Sequence, residues 1–192
     1  MSNEEKRARL LEAAAALLDE ADQQQLNIVS LNKALFYLDL ASLRDLGETF
    51  TKNSYVALDQ GPVIAKYQER LIAPLEKEGI AIRSRLGLAT PITLVKLPEF
   101  KRITVDLRSL IKPISRWCSE RSSTKLSKYS HDNPGWIVAF KDQSHANGQK
   151  QIINMYIAMQ QIVEDDPWTR EPQAKVSRKA CEAADSSEGQ PW

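Results

Sequence analysis

Apolar residues recur at helical spacing in several stretches of the chain. Over residues 4–21, Leu10, Ala13, Ala14, Leu17, Leu18 and Ala21 share one face, with Arg7, Arg9, Glu12 and Asp19 largely elsewhere. This predicts an amphipathic helix rich in good helix formers. The polar residues 22–27 interrupt it, and Ser30 is placed to cap the next helix by accepting a free backbone N–H. That helix carries Leu31, Ala34, Leu35, Leu38 and Leu43, and Phe36 and Leu40 widen its apolar surface. So wide a surface predicts burial on several sides, which makes this the central helix, with Gly47 as its terminator.

Beyond Gly47 the pattern loosens. Thr49, Thr51, Tyr55 and Val56 favour extended chain or turns. Pro62 suits the first position of a helix, where its missing N–H costs nothing. Val63, Tyr67, Leu71 and Leu75 then repeat every four residues, with Pro74 bending or shortening the helix and Gly79 ending it. Residues 80–85 and 92–96 predict two short strands around the turn-prone Gly87 and Pro91. Leu107, Leu110, Ile111, Ile114, Trp117 and Cys118 mark a further helix, with Pro113 as a kink point. A short helix is expected over 124–130. The last periodic segment, 150–164, sets Ile152, Tyr156, Met159 and Val163 in register.

After Asp166 the apolar pattern vanishes. The expected fold class is therefore mainly α, of the α+β kind. An N-terminal helix (1–28) precedes a single helical domain with a small β-hairpin (29–164), and a disordered tail follows (165–192).

Composition narrows the function classes. The 192 residues hold 26 Lys and Arg against 25 Asp and Glu, a formal net charge of +1. Such a balance gives no global attraction to nucleic acid or anionic membrane. No apolar run approaches the ~20 residues of a membrane span, and the polar start Met1-Ser2-Asn3-Glu4 is unlike a signal peptide. Cys118 and Cys181 stand far apart with no partner at metal-ligand spacing, so a reducing cytoplasm is expected.

Catalytic constellations are thin. Ser130, His131 and Asp132 are the residue types of a triad, but three successive residues point in different directions on a helix or a strand. The structural alternative has Asp132 or Asn133 capping a turn before Pro134-Gly135, anchored by a buried Trp136. His131 and His145 are the only histidines, and neither has a carboxylate or thiol at zinc-site spacing. Asp39, Asp45 and Asp59 imitate a carboxylate cluster, although solvated helix-surface positions explain the first two. Gly61-Pro62 lacks the further glycine and Lys-Ser/Thr of a phosphate loop, leaving a sharp turn whose Asp59-Gln60 backbone could form a contact surface.

No cofactor is expected. Arg83, Arg85 and Lys96, followed by Lys101 and Arg102, would let the hairpin grip DNA phosphates, or would simply protect a strand edge. Trp117 and Trp136 are expected in the core. Trp168 and Trp192 are expected either to anchor a partner or to pack loosely on the domain.

Three motifs in order carry a resemblance. Leu31, Lys33, Leu35, Phe36 and Tyr37 are followed by Gly47, then by Gly61-Pro62-Val63, then by Ser127, Ser130, His131 and Trp136. Over residues 31–140 the chain resembles the Panacea domain, the SocA-like antitoxin family of bacteria and phages. The resemblance implies a binding protein without chemistry of its own, not an enzyme. Family members hold a cognate protein toxin inactive by direct contact. Their toxins include alarmone-synthetase-like enzymes, and one branch acts as an adaptor that delivers the toxin to an ATP-dependent protease. The partner-binding residues expected on this basis are Tyr55, Asp59, Gln60, His131 and Asp132, taken as loop positions. The competing expectation is a DNA-binding regulator that uses the basic hairpin.

Overall fold

The computed structural model describes residues 1–87, 89–145, 150–164 and 166–169. Helix α2 (Ile28–Leu46) is its axis, and every residue from 30 to 43 is buried, as the wide apolar surface predicts. Its cap is Asn27, whose side chain accepts the Val29 N–H, whereas Ser30 lies buried inside the helix. Packed against α2 are α1 (Asn3–Asp19), α4 (Val105–Ser119), α5 (Ser123–His131) and α7 (Met155–Glu164). Helix α1 buries every residue from 10 to 18, including Glu12, which was expected off the apolar face, because α2 and α4 both pack against it.

Strands β4 (Ala81–Arg83) and β5 (Pro91–Leu94) form the expected antiparallel hairpin, with Ile82 opposite Thr93. A third strand, β1 (Gln25–Asn27), lies on the other side of β5 and sets Leu26 opposite Ile92. It falls in the polar interruption before α2, where three residues are too few to show a period.

A second hairpin replaces the helix start expected at Pro62. Strands β2 (Tyr55–Leu58) and β3 (Gly61–Ile64) pair antiparallel, and Pro62 stands opposite Ala57 inside the strand. Helical structure resumes only with a π-turn at Gln68–Ile72, which continues into α3 (Ala73–Lys77). There the Ala73 N–H reaches back five residues to the Gln68 carbonyl, immediately before Pro74, which has no N–H to offer. Residues 151–153 run along the other edge of β2, where the Ile153 N–H donates to the Tyr55 carbonyl (2.8 Å).

Helix α6 (Pro134–His145) stands where a turn was expected. Asn133 does cap it, accepting the Trp136 N–H at 3.1 Å, but Pro134-Gly135 opens a helix. A Cβ at Gly135 would lie 2.7 Å from that of Ala158, so the absent side chain lets α6 and α7 touch. Helix α7 buries Ala158 and Ile162, with Ile153 just before it, while Ile152, Tyr156 and Val163 face outward. Of the apolar stripe read from the sequence, only Met159 packs partly against the core and the other three residues face solvent.

Of the tail expected over 165–192, residues 166–169 are described. Trp168 is buried against Tyr37 and Trp117, with ring centroids 5.6 and 5.8 Å apart, so its ring is spent on the core. Arg44 holds this segment through Asp166 (2.6 Å) and the Ile162 carbonyl (3.2 Å). The other tail residues, including Cys181 and Trp192, lie outside the described residues. Among the described residues no helix is long and apolar enough to cross a membrane.

Candidate functional site

The polar residues of α2 explain how the β2–β3 hairpin is held. A helix buried on all sides must also bury its polar side chains, and each then needs a partner. Here the partners are backbone groups and hydroxyls of residues 48–64. Asn32 accepts the Ile64 N–H (3.1 Å), and Lys33 donates to the Pro62 carbonyl (3.0 Å). Asp39 accepts the Thr51 N–H (2.8 Å), the Thr51 hydroxyl and the Tyr55 hydroxyl (2.8 Å). Ser42 donates to the Glu48 carbonyl (2.7 Å).

Burial changes the acidity of these groups. It pushes the Lys33 ammonium down to about 7, because desolvation disfavours the charged form. It also raises the Asp39 carboxyl to about 6, against the opposing pull of hydrogen bonds from Thr51 and Tyr55. A lysine near neutrality can act as a base or nucleophile elsewhere. Here it is 0% exposed, so no substrate can reach it.

The hairpin tip is clasped from the other side by α5 and α6. The Ser127 hydroxyl donates to the Gln60 carbonyl (3.1 Å), and the Trp136 indole N–H donates to the Leu58 carbonyl (3.1 Å). Gly61 has φ +94° at the point of closest approach. A Cβ there would sit 2.3 Å from Ser130 Oγ and 2.7 Å from Lys33 Nζ, so only glycine fits between α2 and α5. His131 stacks on Trp136 (4.4 Å between centroids), which stacks in turn on Phe140 (4.5 Å). His131 Nε2 is buried without a hydrogen-bond partner among the described residues.

The expected partner-binding residues therefore divide. Asp59 and Gln60 form the exposed two-residue turn of the hairpin. Asp132 is exposed where α5 ends, and His131, half-buried, is joined to the tip through Trp136. Tyr55 requires a correction. It is 0% exposed on strand β2, not on a loop, and its hydroxyl is committed to Asp39.

The triad reading finds no support in the geometry. Ser130 donates to the Ser127 carbonyl (2.9 Å), His131 faces Trp136, and Asp132 points to solvent. Cys118 is buried, and burial pushes its thiol up, away from the reactive thiolate. Among the described residues, no group of three or more His, Cys, Asp or Glu side chains gathers where it could hold a metal ion.

Asp39 was expected at a solvated helix surface and is 0% exposed. The signal that could have placed it was already present. A charged residue flanked by Leu38 and Leu40, in a helix apolar all round, has no solvated face to occupy. The same reasoning would have picked out Asn32 and Lys33.

Comparison with known proteins agrees with this geometry. No curated protein and no solved structure matches the chain. One family model does, described as antitoxin SocA-like, Panacea domain, and it covers residues 31–137. That span begins in α2, takes in both hairpins, α4 and α5, and ends one residue past the Trp136 that clasps the hairpin tip. With more than half its length inside that match, and with the motif residues packed around one hairpin, the chain belongs to the SocA-like antitoxin family, as a Panacea-domain protein.

Proposed function

We propose that this antitoxin-family protein neutralises a cognate protein toxin by direct binding, through Asp59 and Gln60 of the hairpin tip and His131 and Asp132 of the adjoining α5 end. The observation that carries the reading is the split among the motif residues. Lys33, Tyr55, Gly61 and Ser130 are sealed inside the fold, while the tip they hold in place presents Asp59 and Gln60 to solvent beside Asp132. A rigidly held polar turn suits recognition, because little ordering remains to be done on binding. Tyr55 acts through the hairpin that it positions and not by contact.

A protein partner is favoured over DNA by the ion pairs around the basic hairpin. Arg83 is held by Glu76 (3.3 Å), and Arg102 by Glu5 (2.9 Å) and Glu12 (2.6 Å). Lys101 lies 3.4 Å from Glu99. Matched by carboxylates, these three have little left for phosphates, which leaves Arg85 and Lys96 as the cations of the basic hairpin without an ion pair among the described residues.

Co-expression with the product of the neighbouring gene tests the proposal, scored by growth and then by co-purification. Rescue with a stable complex, lost in an Asp59→Ala/Gln60→Ala/Asp132→Ala variant of unchanged Tm, is the expected result. Rescue accompanied by disappearance of the toxin identifies delivery to an ATP-dependent protease instead. Whether the toxin is alarmone-synthetase-like is read from its product assay. Absence of both toxicity and complex contradicts the reading, and salt-sensitive binding to the chain's own promoter would replace it with DNA regulation.

A further inference from the structure

An open trough of about 490 Å³ lies between the first turns of α1 and the π-turn that leads into α3. Its floor is apolar, made by Leu10, Ala73 and Pro74, and its walls carry Lys6, Arg7, Arg70 and Lys77 against a single carboxylate, Glu69. Arg7 is paired with Glu78, but Lys6, Arg70 and Lys77 make no ion pair among the described residues. Several arginines elsewhere are matched by carboxylates, with Arg9 on Glu5, Arg44 on Asp45 and Asp166, and Arg102 on Glu5 and Glu12, while Arg85 and Arg116 make no ion pair among the described residues. In a chain of net charge +1, a concavity with this local excess is a focused positive field.

We infer that this trough is a docking groove for an acidic, leucine-bearing segment of a partner protein. Its carboxylates would lie on Lys6, Arg70 and Lys77, and an apolar side chain would rest on the exposed Ala73. The trough is open to solvent, so it suits a segment of a larger partner more than a small ligand buried on most of its surface. Nucleic acid is a poorer fit, because no aromatic ring lines the trough to stack a base and Glu69 opposes the phosphates. Residues 180–192 of the chain itself carry Glu182, Asp185 and Glu188 with no cation, but they hold no Leu, Ile, Val or Met to rest on the apolar part of the trough. The groove is distinct in its lining from the hairpin-tip surface, so the inference stands whether or not that surface binds a toxin.

The probe is a fluorescein-labelled 12-residue peptide of Glu, Asp and Leu, titrated with the full chain and followed by fluorescence anisotropy. Wild type is expected to bind it, with affinity falling at least about tenfold between low salt and 0.5 M salt as the charges are screened. Lys6→Glu/Arg70→Glu/Lys77→Glu should lose at least about tenfold in affinity at low salt. The control Arg85→Glu/Lys96→Glu/Lys101→Glu makes the same change in net charge and should keep wild-type affinity. Circular dichroism of both variants checks that each is folded. No binding by wild type overturns the inference, as does equal loss in the two variants, which would mean bulk charge alone. Tighter binding of a single-stranded oligonucleotide that displaces the peptide would reassign the groove to nucleic acid.

Discussion

The two hairpins of this protein are alike in length and opposite in how they are held. All of β2 and β3 is buried except Leu58 at the rim, and side chains from α2, α5 and α6 bond directly to backbone carbonyls and N–H groups of the hairpin. In β4 and β5 only Ala81, Pro91 and Ile92 are buried, and Arg83 reaches its partners Gln68 and Glu76 across exposed surface. The β2–β3 hairpin and the residues that bond to it account for about half of the motif positions. The difference teaches that a motif built from Lys, Gly-Pro and Ser can be a set of fasteners, and what it fastens is the exposed tip proposed above to meet a partner.

The sharpest way to break this comparison is to place the same substitution in each hairpin. Gly61→Ala must force a Cβ against Ser130 and Lys33 at a positive φ, and we expect a loss of about 4 kcal/mol or failure to fold. Gly87→Ala, also at positive φ but with nothing within 4 Å, should cost only ~1 kcal/mol of backbone strain. Urea unfolding of both variants measures the contrast, and equal losses would contradict it.

Next in size is Asp39→Ala. It leaves the Thr51 N–H, the Thr51 hydroxyl and the Tyr55 hydroxyl buried without their acceptor, a loss of about 3 kcal/mol. Urea unfolding measures the loss, and a change of less than about 1 kcal/mol would remove Asp39 from the fastening role.

A pH profile sharpens the picture further. The unfolded chain holds the Lys33 proton up to about 10.5, and the folded chain releases it near 7. The unfolded state therefore binds more protons in that window, and stability rises with pH across it. Asp39 acts in a lower window. The folded chain keeps a proton up to about 6 that the unfolded chain gives up near 3.8, so stability falls as pH rises between those values. Between pH 7 and 9 wild type should gain about 2 kcal/mol relative to Lys33→Met, read from urea midpoints at each pH. A parallel pair of profiles would place Lys33 outside the fastening role.

The smallest effect belongs to the exposed hairpin. Arg83→Ala removes a solvent-exposed pair with Glu76 and should change stability by less than about 0.5 kcal/mol. A loss several times larger would put the two hairpins on an equal footing.

The sequence was legible where packing is one-sided or very strong. Helices α1, α2, α4 and α5 and the β4–β5 hairpin follow from their spacing. The β2–β3 hairpin did not, because strands buried on both faces show no alternation, and Pro62 in a buried strand mimics a helix start. Helix α6 was hidden by Pro134-Gly135, read as a turn when Asn133 makes it a capped helix start. Helix α7 carries two apolar stripes, and spacing alone cannot say which faces the core.

Of the residues that the motifs suggested as contacts, Asp59, Gln60 and Asp132 are exposed and His131 is half-buried, while the burial of Tyr55 was not legible. A tyrosine beside a turn looks like a contact residue until its hydroxyl is seen on Asp39, sixteen residues earlier in the chain.

Native-state amide exchange on the free chain tests the central claim most directly. The Thr51 N–H bonded to Asp39 and the Ile64 N–H bonded to Asn32 should exchange only through global unfolding. The Leu86 N–H, bonded to the Ala89 carbonyl in the exposed hairpin, should exchange through local opening at a far lower free energy. Exchange of Thr51 and Ile64 as fast as that of Leu86 would contradict the account, because the β2–β3 hairpin would then not be fastened to α2.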